Sequence, residues 1–221
     1  VIHETVTALS TTEPLLSLQM FLQCAQAANA ANFENAAYEF LTQAFILYED
    51  NISDSKQQVQ VIALFVGTLV TLTNFTKENY DTLITKTTQY AAKLLRKSDQ
   101  CTAICQCSHL FWVPGFHEDA QRVLECLQRA LKTADRCVNE SPAKLFVEIL
   151  NHCVFFFEKE NPNISAKYIS NFIALIDEQI SSMDTEKDSD EAAEISKAYH
   201  ETIAYIKQKS ATEERYKEIA V

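Results

Sequence analysis

The stretch DSKQQVQVIALFVGTLVTLTN, residues 54–74, decides the fold class. Val59, Ile62, Val66 and Val70 recur at helical spacing and form one apolar stripe, while Val61, Leu64, Phe65 and Leu72 form another. A helix that is apolar on two sides has to be covered from two directions. A four-helix bundle buries a single stripe of each helix, whereas stacked helical hairpins supply neighbours on both sides. Residues 142–159 repeat the pattern, with Leu145, Ile149, Leu150, Cys153 and Phe157 in one stripe and Phe155 and Phe156 continuing around the helix.

Working outward, capping residues and prolines precede most apolar-periodic runs. Pro14 opens one run, Ser53, Thr76 and Ser98 read as caps, and Ser141-Pro142 and Asn161-Pro162 each set a cap before a proline at the first helical position. Asp188 to Asp190 precede the last run. The pattern predicts helices over 1–10, 14–30, 33–51, 54–74, 77–97, 99–112, 117–138, 142–159, 162–181 and 190–209. Two consecutive helices occupy ~40–47 residues, the period of HEAT-like hairpins. The expected architecture is therefore all-α, a right-handed α-solenoid of about ten helices, with one continuous array over 1–209 and a tail over 210–221. The one shift in composition is residues 177–194, with eight acidic residues and Lys187 alone, read as a polar loop and helix start.

Composition narrows the function. Among 221 residues there are 2 glycines and 4 prolines, too few for all-β sandwiches, dinucleotide-binding folds or phosphate loops. Nineteen basic residues against 30 acidic ones give a net charge of −11, which opposes nucleic acid. No run reaches the roughly 18 apolar residues of a membrane span, so direct membrane insertion is not expected. The start, Val1-Ile2-His3-Glu4-Thr5, lacks a signal-peptide pattern and an initiator methionine, and reads as a soluble fragment. Seven cysteines, an odd number, fit a reducing cytosol better than a disulfide framework, and the sequons at Asn51, Asn74, Asn139 and Asn163 read as chance matches.

Three clusters could carry chemistry or binding. Cys101, Cys105 and His109 share a helix face, but Cys101 and His109 lie about 12 Å apart along the axis, too far for one zinc ion that holds ligands at ~2.0–2.3 Å. Cys107 points to the opposite side, and buried structural thiols are the plainer reading. No third group is marked to orient His109 as a base for a cysteine nucleophile, so no catalytic residue, metal or cofactor is assigned. Leu110, Phe111 and Trp112 end a helix just before the breaker Val113-Pro114-Gly115; Trp112, the only tryptophan, reads either as core or as a protein-protein anchor. Glu49, Asp50 and Asp54 surround one loop, and Lys93, Arg96 and Lys97 sit on the last turn of a later helix. The basic group either complements the helix dipole or meets the acidic group of a second copy in a two-fold dimer.

Five stretches carry a resemblance: AAYEFLTQAFILYEDNISDSK at 36–56, AAKLLRKSDQ at 91–100, CSHLFW at 107–112, RVLECLQRALKTA at 122–134, and FVEILN with FFFEKEN between 146 and 161. Through them the chain is similar to the C-terminal half of the vacuolar protein sorting-associated protein 35 family, the large helical-solenoid subunit of the retromer coat. The likeness fades after about residue 162. It implies a scaffold without catalysis, working in endosomal cargo retrieval, cytoplasmic and peripheral on endosomal membranes. It further implies that the concave face holds the small metallophosphoesterase-fold subunit, vacuolar protein sorting-associated protein 29, with His109, Leu110, Phe111 and Trp112 in that contact. Self-association at the coat apex falls on Glu49, Asp50, Asp54, Lys93, Arg96 and Lys97. Other retromer and sorting-nexin subunits would bind through an N-terminal half that this chain lacks.

Two departures stand out: Asn51 takes a position commonly acidic in the family, and the connection after Trp112 is short. The alternatives are an unrelated HEAT-like adaptor that binds a peptide between helices, and an enzyme built on the cysteine-histidine cluster.

Overall fold

The computed structural model describes residues 2–137, 141–181 and 189–221. It divides into two compact units, Val1–Asp119 and Ala120–Val221. Among the described residues there are ten α-helices, and the only strands are two of two residues each. The architecture is all-α and of the solenoid class, built from helical hairpins joined by short loops.

The first unit contains α1 (Ile2–Leu9), α2 (Pro14–Ala30), α3 (Glu34–Asn51), α4 (Ser55–Leu69), α5 (Lys77–Lys93) and α6 (Lys97–Ser108). A 3-10 turn over His109–Phe111 follows, then β1 (Trp112–Val113) and β2 (His117–Glu118). The hairpin α3–α4 is repeated by α5–α6, since α4 and α6 begin 42 residues apart, at 55 and 97. The loops match in detail. Ile52 and Leu94 are both buried, and in each repeat a glutamine in the first turns of the second helix reaches back to that residue: Gln58 Nε2 donates to the Ile52 carbonyl at 3.0 Å, and Gln100 Nε2 donates to the Leu94 carbonyl. A carboxylate staples one repeat to the next: Glu34 Oε1 accepts from Thr76 N at 2.9 Å, Thr76 Oγ1 at 2.8 Å and Asn79 Nδ2 at 2.7 Å.

In α4 Val61, Ile62, Phe65 and Leu69 are fully buried and lie on one broad face, not on the two separate stripes the pattern suggested. Phe65 packs edge-on to Phe45 of α3 at 4.8 Å, and Tyr90 of α5 meets Phe45 at 5.6 Å and Tyr48 at 4.6 Å, so three helices share one aromatic core. Leu64, expected on the second stripe, is 38% exposed.

The second unit contains α7 (Ala120–Ala134), α8 (Pro142–Glu158), α9 (Ala166–Ser181) and α10 (Ser189–Ser210), then a 3-10 turn over Glu214–Glu218. Helix α8 buries Leu145, Ile149, Leu150, Cys153, Phe156 and Phe157, while Phe155 is 37% exposed. The expected tail carries structure: Tyr216 is fully buried against Phe157, ring centroids 5.1 Å apart, and Arg215 Nη2 donates to the Phe157 carbonyl at 2.5 Å.

Several boundaries differ from the pattern reading, each for a local reason. The helix expected over 54–74 stops at Leu69, where Thr71 Oγ1 takes the Thr68 carbonyl at 2.7 Å and turns the chain. Its cap is Asp54, not Ser53, because Asp54 Oδ1 accepts from Gln57 N at 2.9 Å. The helix expected over 77–97 stops at Lys93, since Leu94 adopts ψ 147° to bury its side chain. Helix α6 therefore starts at Lys97, with Arg96 in the cap position and Ser98 inside the helix. The helix expected over 99–112 ends at Ser108, and the start expected at 117 gives way to β2, with α7 beginning at Ala120. Asn161-Pro162 does not open α9: Asn161 Oδ1 accepts from Asn163 N at 3.0 Å in a tight turn, and Ser165 Oγ accepts from Tyr168 N at 3.2 Å as the actual cap. Asn139, and residues 182–188 of the acidic stretch including Lys187 and Asp188, lie outside the described residues.

Helices α2 and α8 end alike. Asn32 and Glu160 take positive φ (61° and 58°) one residue past the cap, and the next N–H returns to a carbonyl five residues back, Phe33 to Ala28 and Asn161 to Phe156.

Candidate protein-docking site

The turn that ends α6 presents two side chains and hides two. Leu110 and Phe111 point inward, 0% and 2% exposed, while His109 and Trp112 are half-buried. A partner reaching this turn meets His109 and Trp112, and the two buried residues serve as their anchor. The fully buried Tyr80 of α5 holds the turn from beneath: its hydroxyl donates to the Leu110 carbonyl at 3.2 Å, and its ring lies against Phe116 at 4.8 Å and His117 at 5.3 Å.

The chain then reverses. Phe116 N donates to the Val113 carbonyl at 3.0 Å, Pro114 sits at the second position of that turn and Gly115 at the third with φ 77°, a conformation glycine adopts without a Cβ clash. Glu118 Oε1 accepts from Gly115 N at 2.7 Å. The strands β1 and β2 pair antiparallel, with Trp112 opposite Glu118 and Val113 opposite His117. The breaker Val113-Pro114-Gly115 thus builds a hairpin where the pattern reading expected only a helix end. Tyr80, Phe116 and His117 were not singled out from the sequence; the Pro-Gly dipeptide four residues before a second helix-like run was the available signal.

Trp112 Nε1 is buried and has no hydrogen-bond partner among the described residues. A buried indole N–H usually finds an acceptor, and leaving it without one costs about 1–3 kcal/mol. Burial holds the His109 imidazole below its ordinary 6.5, so the ring is neutral at pH 7 and carries one donor and one acceptor nitrogen.

Arg96 and Lys97 lie at the other end of α6, a helix of 12 residues and so about 18 Å long. Glu49 is engaged within the chain: its Oε1 accepts from the Tyr90 hydroxyl at 2.6 Å and lies 3.2 Å from Lys86 Nζ. The Tyr90 hydrogen bond, ahead of a partial offset by burial and help from Lys86 and Lys93, holds its carboxyl below the usual range. Asp54 caps α4, and Asp50 is exposed at the end of α3. Lys93 alone lies on the last turn of α5; Arg96 and Lys97 belong to the start of α6, where the helix dipole disfavours cations, so dipole compensation does not explain them. Between them Leu95 is 81% exposed, an apolar side chain that the sequence pattern had placed inside a helix.

Cys101, Cys105 and Cys107 are all buried, Cys107 included because α6 is covered from two directions. Among the described residues no group of three His, Cys, Asp or Glu side chains is placed to hold a metal ion, and no helix is long and apolar enough to cross a membrane.

The family model for vacuolar protein sorting-associated protein 35 matches residues 1–179, beyond residue 162 where the resemblance fades to the eye. Vacuolar protein sorting-associated protein 35B of Arabidopsis thaliana is 47% identical over 193 residues, 82% of this chain and 24% of that relative. The Schizosaccharomyces pombe vacuolar protein sorting-associated protein 35 is 40% identical over 195 residues, 85% of this chain and 23% of that relative. The Dictyostelium discoideum protein of that name is 32% identical over 181 residues, 79% and 23% respectively. The chain spans about a quarter of the length of these relatives, and by the extent of the family match it belongs to the vacuolar protein sorting-associated protein 35 family.

Proposed function

We propose that this chain is a non-catalytic scaffold segment of the retromer coat, acting in endosomal cargo retrieval on the cytoplasmic side of endosomal membranes. The first unit docks the small metallophosphoesterase-fold subunit, vacuolar protein sorting-associated protein 29. His109 and Trp112 make the contact, and Leu110 and Phe111 fix the turn that presents them. The observation that supports this reading is the part-exposed pair His109, neutral at pH 7, and Trp112 on a turn braced by Tyr80, since a tryptophan left partly in contact with water on a rigid turn suits a binding anchor. Sorting nexins and the remaining subunits bind sequence beyond this segment.

The other end of α6 is the self-association surface. Asp50 and Asp54 of one copy face Lys93, Arg96 and Lys97 of another, and Leu95 supplies an apolar contact at the centre, as isologous interfaces require. Exposed charge pairs contribute only ~0.2–1 kcal/mol each, so Leu95→Asp should weaken the dimer more than any single charge reversal.

Calorimetry with the purified small subunit tests the docking surface. His109→Glu and Trp112→Ala are each expected to weaken binding by about tenfold or more, as hot-spot truncations do. Unchanged affinity in both variants overturns the assignment.

A further inference from the structure

Helices α8 and α10 leave an open groove between them in the second unit. Two adjoining cavities, about 420 and 190 Å³, share Ala198 as a lining residue. Val147, Val154 and Phe155 come from α8, and Ile195, Ala198 and Tyr205 from α10. Phe155 and Tyr205 are each 37% exposed, so aromatic surface stays in contact with water at one end. The α8 lining runs from Lys144 to Glu158, about 21 Å along the axis.

The rim is acidic. Glu158, Glu191, Glu194 and Glu201 line the groove against a single lining cation, Lys144. Glu158 is held by Lys209 and the Tyr205 hydroxyl, and Glu201 lies 4.0 Å from Lys197. Lys159 lies over the Phe155 ring at 5.7 Å, so the far end is locally balanced. Glu191 and Glu194 make no ion pair among the described residues. Helix α10 lies beyond residue 179, where the family match stops, so one wall of the groove is built outside the matched segment.

We propose that this groove binds a basic amphipathic helix of a partner protein, with an apolar stripe on the exposed Phe155, Ala198 and Tyr205 and lysine or arginine over Glu191 and Glu194. A helix fits better than an extended strand. The walls are helices whose backbone groups are already bonded, so a strand would leave its own N–H and C=O groups unmatched against apolar side chains. About four helical turns match the length, with anchors at i, i+3 or i+4, and i+7. The groove shares no residue with the small-subunit contact, and the proposal stands independently of that reading.

The test uses the full 221-residue chain and three fluorescein-labelled peptides of about 14 residues. One is helical with leucines on one stripe and lysines on both flanks, the second has the same composition scrambled, and the third carries glutamate for lysine. By anisotropy at low salt, the first is expected to bind about tenfold or more tighter than either control and to weaken as salt rises. Ala198→Trp fills the shared part of the groove from an exposed position, so folding is kept, and should reduce that affinity by about tenfold. Glu191→Lys with Glu194→Lys should reduce it and invert the preference toward the acidic peptide. No binding, equal binding of the scrambled peptide, or affinity unmoved by both variants overturns the proposal.

Discussion

Tyr90→Phe tests whether Glu49 belongs to the fold or to a partner. Phenylalanine keeps the ring that packs on Tyr48 and Phe45 and removes only the hydroxyl that donates to Glu49 Oε1 at 2.6 Å. A hydrogen bond to a charged group is worth about 1.5–3 kcal/mol when buried. Here the Glu49 side chain is 46% exposed and its Lys86 neighbour 38%, so solvent screening lowers the expected loss to about 1 kcal/mol. For a chain of this size that is about 2–4 °C in Tm. The pH dependence fixes the sign. A carboxyl held below its ordinary 4.5 in the folded state stabilises above that value, and the contribution is lost as pH falls through the folded pKa. The wild type should therefore exceed Tyr90→Phe at pH 7 by a margin that shrinks as pH falls below 4.5, and the Glu49 carboxyl should titrate closer to 4.5 in the variant. Urea unfolding followed by circular dichroism at pH 7 and pH 3, with an NMR titration of Glu49, measures each quantity. A margin equal at pH 3 and pH 7, or no margin at pH 7, refutes the reasoning and returns Glu49 to the pool of free surface charges.

Other outcomes follow from the same geometry. Glu34→Ala removes an acceptor of three hydrogen bonds between successive hairpins and should cost the first unit about 1 kcal/mol by urea unfolding, on the scale of a lost helix cap, with Glu34→Gln costing less. Asp54→Ala should cost about 0.5–2 kcal/mol through its cap, while Asp50→Ala, exposed at the helix end, should leave stability unchanged and report on self-association alone. His109 is held below 6.5 by burial, so its contribution is complete above that pH and is lost as pH falls further; His109→Gln should flatten that part of the stability curve between pH 7 and 5.

The fold class was legible because burial on two sides writes itself into composition along a helix. In α8 the buried Leu145, Val147, Leu150 and Val154 spread over more than half the circumference, wider than one neighbour covers, whereas in α4 the buried Val61, Ile62 and Phe65 share one broad face. Helix ends were harder, since a break at Leu94 costs no polar signal: the residue is apolar, continues the period, and turns only because its side chain drops into the core. For the same reason Leu95 was read as helix interior and is the most exposed of the large apolar side chains described. The docking turn was half legible. The aromatic run at 110–112 was plain, but which of its members face water depends on Tyr80, 30 residues away, taking the Leu110 carbonyl, and no local pattern encodes a contact at that distance.

Such a chain places its binding chemistry where hairpins turn. When neighbours take both faces of a helix, the residues left to meet a partner are those of the loops, and in the first unit both candidate surfaces lie at opposite ends of α6. A surface on a helix flank therefore needs a helix with a neighbour missing. On helix α10, Ala198, Glu201 and Tyr205 are exposed and line the groove beside α8. The wall keeps Ala198 and Tyr205 in contact with water beside its glutamates, with Ile195 buried at its foot, a mixture that suits a removable occupant.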